Sequence, residues 1–196
     1  EAPSLDALRL HNGTVYRWNR ACYGISDGKP HLRIENRLLP SGPSIIDEIS
    51  NAAFWLGLVH GYAAEHGDPQ HHLDFDEARS NLLAAARIGM DSQFKWTDGE
   101  RYPASDLILE RLLPLAEKGL ASFNIDSKDI QKYLGIIRTR VSHYRTGARW
   151  QVRSLVGMNE ETSKNQRLAA LVESMIAQQE TGKPGHEWAL AQLDDG

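Results

Sequence analysis

The chain has 196 residues, 41% of them hydrophobic, enough to bury a core as one domain or as one large piece of a bigger one. Its 26 acidic and 22 basic residues are interspersed and leave a formal net charge of −4, which excludes the basic field that draws a protein to nucleic acid or to an anionic membrane. No apolar run approaches a membrane span, the N-terminus lacks the layout of a signal peptide, and a lone cysteine excludes an intramolecular disulfide, so a cytoplasmic setting is the simplest expectation.

The first forty residues predict about three antiparallel strands, near 7–11, 13–24 and 30–39, joined by turn signals in HNG at 11–13 and SDGKP at 26–30. The β-branched and aromatic residues of TVYRWNRACYGI favour strand between those turns. Cys22 falls within it and reads as a small buried residue, since no histidine adjoins it to act as a base.

After Pro40 and Gly42 the period turns helical. Pro43 suits a helix start, and Ile45, Ile49, Ala52, Ala53, Leu56 and Val59 recur at three- and four-residue spacing as far as His66, ahead of Gly67 and Pro69. Apolar residues ring much of this helix, which predicts deep burial. Asp74 or Asp76 caps a second helix through Ala78, Leu82, Leu83 and Ala86 to Gly89, and residues 91–103 read as irregular or a short strand.

A third helix spans Ala104 to Ser122, bent at Pro114, and a fourth starts at Asp126 or Ser127 and carries Ile130, Leu134, Ile137 and Val141. A short helix or turn covers ARWQVRSLVG. A last helix from Thr162 to Gln179 directs Leu168, Leu171, Val172, Met175 and Ile176 inward, and the tail beyond Gly182 reads as extended. The class is α+β: a short antiparallel sheet on residues 1–41, then a bundle of about five helices on 42–196, packed with the sheet as one domain or forming the C-terminal part of a larger catalytic domain.

Chemistry concentrates in HLRIENRLLPSGP at 31–43. On a strand, His31, Arg33, Glu35 and Arg37 share one face while Leu32, Ile34 and Leu38 share the other. A carboxylate between two guanidiniums suits a metal-bound polyphosphate, the carboxylate taking a hard cation and the arginines the phosphate oxygens. The same alternation also describes a solvated strand face with cross-strand charge pairs. No glycine-rich phosphate loop is present, so a nucleotide here relies on metal and arginine.

Three further groups are weaker. His66, His71 and His72 sit in a polar loop without zinc-ligand spacing and read as solvated. In YRWNR, Arg17, Asn19 and Arg20 add donors to the Arg/Glu/Arg face if the strands pair, the register deciding between Arg17 and Arg20. YRTGARWQVR at 144–153 reads from its residues as a glycine-capped helix end with an exposed basic rim.

Taken in order, YRWNRACY, HLRIENRLLPSGPSIIDEISNAAFWLGL and TGARWQ resemble the C-terminal half of the glutamate-cysteine ligase type 2 family of carboxylate-amine ligases, over about residues 13–155. More distantly, the Arg-x-Glu-x-Arg strand followed by proline is similar to that of glutamine synthetases. The resemblance implies a glutamine synthetase-like active-site sheet and an ATP- and Mg2+-dependent reaction. In it the γ-carboxylate of glutamate is phosphorylated and an amine, typically that of cysteine, attacks the acyl phosphate.

On this resemblance Glu35 is a magnesium ligand, Arg37 contacts the transferred phosphoryl group and Arg33 holds phosphate or the glutamate carboxylate. Arg20 and Asn19, in a segment resembling WNRP with alanine for proline, and Thr146 and Gln151, in TGARWQ, are substrate-binding candidates. Family members are about twice this length and bring a Glu-x-Glu strand from their N-terminal half, a pattern with no counterpart on a strand here.

The chain therefore reads as half of an active site, completed by the missing N-terminal half or another chain, with homo-oligomerisation compatible. The alternative is an incomplete relative that keeps the fold and acts as a binding or interaction module.

Overall fold

The computed structural model describes residues 2–16, 18–39 and 42–193; Arg17 and Pro40 lie outside them. The described residues form an α+β protein in two compact units, Glu1–Ser41 and Gly42–Gly196.

In the first unit α1 (Asp6–Thr14) precedes a hairpin of β1 (Asn19–Ser26) and β2 (Lys29–Asn36). The strand expected at 7–11 is thus a helix. Ala7, Leu8, Arg9 and Leu10 are strong helix formers, Asp6 lies in the positive first turn, and the helix runs through the Asn12-Gly13 pair read as a turn. The second turn signal holds: Asp27 and Gly28 both take positive φ, 52° and 74°, as a two-residue type I′ hairpin turn demands. That turn fixes the register, in which Arg20 faces Glu35, Cys22 faces Arg33 and Asn19 faces Asn36.

Burial on β2 follows position along the strand rather than face: Leu32 and Ile34 of the apolar face are 66% and 62% exposed and Arg33 of the charged face is exposed, whereas Glu35, Asn36, Arg37 and Leu38 at the end of the hairpin are half-buried. Cys22 is half-buried too, rather than a core residue.

The second unit holds α2 (Ile45–His66), α3 (Phe75–Ile88), a two-stranded ribbon of β3 (Gln93–Lys95) and β4 (Arg101–Pro103), and then α4 (Ala104–Asp106). It continues through α5 (Leu113–Ser122), α6 (Ser127–Ser142), α7 (Gly147–Gly157) and α8 (Lys164–Glu180). Asp74 and Asp126 cap α3 and α6 by accepting the backbone N–H of Asp76 and Lys128. Between α4 and α5 the backbone widens to a π turn over Leu107–Leu112. Pro114 follows directly and has no N–H for the carbonyl four residues back, so the proline registers as a widened turn.

The main core joins α5 and α6 through Leu113, Ala116, Leu120, Ile130, Leu134, Ile137 and Val141, with Ala53, Phe54 and Leu58 of α2 against it. The deep burial expected for α2 is corrected. Its buried positions are Asp47, Ser50, Gly57, Gly61 and Tyr62, while Ile45, Ile49, Leu56 and Val59 are exposed. Small residues let α2 and α5 approach closely, and the bulky apolar period falls on the opposite face. In α8 only Leu171 is buried; Leu168, Val172 and Ile176 are exposed instead of inward.

The tail expected to be extended is packed. After a 3-10 turn at Gly185–Glu187, Trp188 and Ala191 close a second core with Trp150, Met158 and Leu171. The Trp150 and Trp188 rings meet edge-on at 5.3 Å, and each indole N–H donates to a backbone carbonyl, of Ala189 and Lys183 respectively. No helix of the described residues is long and apolar enough to cross a membrane.

Candidate functional site

The hairpin brings three of the predicted side chains together. Arg20 and Glu35 are opposite one another across the strands, and Arg20 Nε donates to Glu35 Oε2. Arg37 reaches the same oxygen, Nε at 3.1 Å and Nη2 at 2.9 Å. Both arginines are held from outside the cluster. Arg20 Nη1 donates to the Asn12 carbonyl of α1 at 2.9 Å, and the Arg37 guanidinium lies over the Tyr16 ring at 4.7 Å. The backbone N–H of Arg37 also donates to the Trp18 carbonyl at 2.8 Å, continuing the strand pairing past Asn36.

Both guanidiniums converge on one carboxylate oxygen, which leaves Glu35 Oε1 with no hydrogen-bond partner among the described residues. Burial opposes ionisation of Glu35, but the hydrogen bond and charge of Arg20, followed by those of Arg37, outweigh it and hold the carboxyl below the usual carboxylate range. The hydrogen bond to Glu35 correspondingly raises the pKa of Arg20.

Because the folded pKa of Glu35 is depressed, the stabilisation from this pair is present above the unfolded pKa and is lost as pH falls through the lower, folded one. A carboxyl-detected NMR titration is expected to place the Glu35 midpoint below that of an unpaired glutamate. In Arg20→Gln the midpoint is expected to move up, and an unchanged midpoint would contradict the pairing.

The other predicted residues stand apart from this cluster. Arg33 lies on the same strand face, exposed and without an ion-pair or hydrogen-bond partner among the described residues. Asn19 is exposed at the start of β1. Thr146 and Gln151 belong to the helical unit. Thr146 is the N-cap of α7, accepting the Arg149 N–H at 3.2 Å, and Gln151 is exposed on that helix. The Thr146-Gly147 step therefore begins a helix rather than capping the end of one, and the left-handed residue after α6 is Tyr144, with φ 53°.

For magnesium, Glu35 Oε1 has no partner among the described residues, and no group of three or more His, Cys, Asp or Glu side chains converges among them. A lone carboxylate already paired to two guanidiniums does not make an all-protein magnesium site. It does fit the role of a single oxygen ligand to an ion that arrives on phosphates and keeps its waters. Arg20, Arg37 and Arg33 around it leave an excess of positive charge suited to such phosphates.

Sequence reasoning missed two features of the helical unit. Asp47, fully buried near the start of α2, accepts hydrogen bonds from Ser44 Oγ and the Gly185 N–H, each at 2.7 Å, and from Arg140 Nη2 at 2.6 Å. Its signal in the sequence was no more than an acidic residue in the first turn of a helix, which is ordinary on a solvated face. The second is the gathering of Arg145, Arg149 and Arg153, at four-residue spacing, around a cavity closed by the tail. The spacing was legible, but the tail was read as extended. Comparison of the chain with protein-family models, with curated proteins and with solved structures gave no match.

Proposed function

We propose that this chain supplies the nucleotide-side half-site of an ATP-dependent carboxylate-amine ligase, one that phosphorylates the γ-carboxylate of glutamate and joins it to an amine such as that of cysteine. The observation that carries the reading is the Glu35 carboxylate fixed between Arg20 and Arg37, with Oε1 unpartnered among the described residues. In this chemistry the γ-phosphoryl group of ATP passes to a carboxylate oxygen and ADP leaves. The amine then attacks the acyl carbon, expels phosphate and gives its proton to solvent.

Such a transfer needs positioning and charge neutralisation more than a protein nucleophile. Arg37 and Arg20, already oriented by Glu35, the Tyr16 ring and the Asn12 carbonyl, neutralise phosphoryl oxygens; exposed Arg33 adds a third guanidinium on the same face. Magnesium, when bound on the nucleotide, supplies the charge that lets the phosphates approach a carboxylate, and Glu35 Oε1 is the ligand this chain offers it.

The test is a calorimetric titration of Mg-ATP, with and without glutamate, into the chain and into Glu35→Gln. Binding to the parent chain, weakened at least tenfold in the variant with little change in melting temperature, supports the half-site. Equal binding by both proteins overturns the role of Glu35.

A second reading, an interaction module without chemistry, is favoured by the exposed Leu32 and Ile34 on the opposite strand face and by the single carboxylate. It is the reading left standing if neither protein binds Mg-ATP.

A further inference from the structure

A second cationic site lies wholly within the helical unit. A cavity of about 380 Å³ is lined by Arg145, Thr146, Arg149 and Arg153 from the α6–α7 turn and the first turns of α7, and by the Gly185–Leu190 segment that folds back over them. Tyr144, Trp150 and Trp188 contribute aromatic surface to its wall.

The three arginines differ in how they are held. Arg145 Nη1 donates to the His186 carbonyl at 3.0 Å, which pins the guanidinium at the tail. Arg149 is oriented by the Asp91 carboxylate, 2.7 and 2.8 Å from Nη2, and stacks over the Tyr144 ring at 5.1 Å. Arg153 is exposed and has no hydrogen-bond or ion-pair partner among the described residues. Against these charges stand two carboxylates, Glu187 in the lining and Asp91 already paired with Arg149, so one of the three guanidinium charges is left unbalanced, and the positive end of the eleven-residue α7 adds to the field.

His186 is the second sign that something belongs there. It lines the cavity, only 8% of its surface is exposed, and its buried Nδ1 has no hydrogen-bond partner among the described residues. A buried polar atom left unpaired is costly, and such atoms are rare in native proteins unless a ligand or water completes them. Burial is also the main cause lowering the His186 pKa, with Arg140 and Arg145 acting in the same direction and Glu187 and Asp47 against it. These causes favour the neutral ring, which is able to donate one hydrogen bond without adding charge.

We propose that this cavity binds a phosphate-bearing small molecule, its phosphoryl oxygens held by Arg145, Arg149 and Arg153 and its organic part set against Tyr144, Trp150 and Trp188. Guanidinium forks match phosphate oxygens in pairs, and Arg153, without a partner among the described residues, has its whole fork to offer. The volume lies in the range of small-molecule sites, and the aromatic wall gives a non-phosphate portion a surface to rest on.

The test uses phenyl phosphate as probe, titrated calorimetrically into the full chain without magnesium, with inorganic phosphate and succinate as comparisons. The expected order is phenyl phosphate tighter than inorganic phosphate, and both tighter than succinate. Arg153→Gln, which removes an exposed side chain with no partner to lose, is expected to weaken phenyl phosphate at least tenfold at unchanged melting temperature.

Inorganic phosphate binding as tightly as phenyl phosphate would overturn the aromatic subsite, and succinate binding as tightly as either would overturn the phosphate assignment. No binding of phenyl phosphate at millimolar concentration, or equal binding by Arg153→Gln, would overturn the site itself. Arg153→Gln leaves the hairpin untouched, so the share of phenyl phosphate binding that it removes is separate from the result of the Mg-ATP titration.

Discussion

Asp47→Ala is expected to be the most damaging single substitution in the helical unit, costing about 3–5 kcal/mol because it leaves the Arg140 charge uncompensated beside the core. The carboxylate is fully buried, the Arg140 side chain only 14% exposed, and the pair ties three separate stretches of chain: α2, α6 and the tail at Gly185. Arg140 Nη1 donates in addition to Asn51 Oδ1 at 2.6 Å, one turn along α2, so the guanidinium bridges two positions of that helix.

Denaturant unfolding followed through helical circular dichroism measures the loss. The double variant Asp47→Ala/Arg140→Met is expected to be less destabilised than the sum of its single changes, because removing both charges removes the unpaired one. Simple additivity would mean that the pair contributes nothing as a pair. Hydrogen exchange of the amides at 185–191 is expected to quicken in Asp47→Ala, since the Gly185 N–H loses its acceptor.

Two glycine-to-alanine substitutions on neighbouring helices are expected to act with opposite sign. A Cβ at Gly119 in α5 would collide with the Gly57 carbonyl oxygen and lie 2.6 Å from the Gly61 nitrogen, both backbone atoms of α2 that no rotamer change can move. Gly119→Ala therefore forces the helices apart, at a cost of about 1–3 kcal/mol or more. A Cβ at Gly135, within α6, meets nothing within 4 Å, and Gly135→Ala should stabilise by about 0.5–1 kcal/mol through helix propensity. Equal effects of the two in thermal or denaturant unfolding would show that the close approach of α2 and α5 is not what Gly119 serves.

The helices were legible because their signals are local. Asp74 and Asp126 cap where the sequence places them, Gly89 stops α3, and the Asp27-Gly28 turn sets the hairpin. The short ribbon at 93–95 and 101–103 falls inside the stretch read as irregular or a short strand, where three-residue strands are too short to display a period and the pairing of two of them was not legible. At the N-terminus the Asn-Gly turn signal outweighed helix propensity in the reading, and propensity won in the fold.

For the candidate site, the alternation of Arg33, Glu35 and Arg37 placed them on one face from the sequence alone, since a strand has period two. That Arg20 and not Arg33 pairs with Glu35 was decided by register, which the turn sets and which no single strand contains. Arg17, the other candidate for that face, lies outside the described residues.

By itself the sequence determined the α+β class, the succession of helices beyond residue 44 and the charged strand face, all of which follow from periodicity, capping and turn chemistry within a few residues. Only the tertiary structure decided which side of α2 is buried, that the tail closes a second core around Trp150 and Trp188, and that Asp47 meets Arg140 and Gly185 from the far end of the chain. Burial and pairing depend on what arrives from distant positions, and an apolar stripe states only that a helix is able to pack, not which face its neighbours will take.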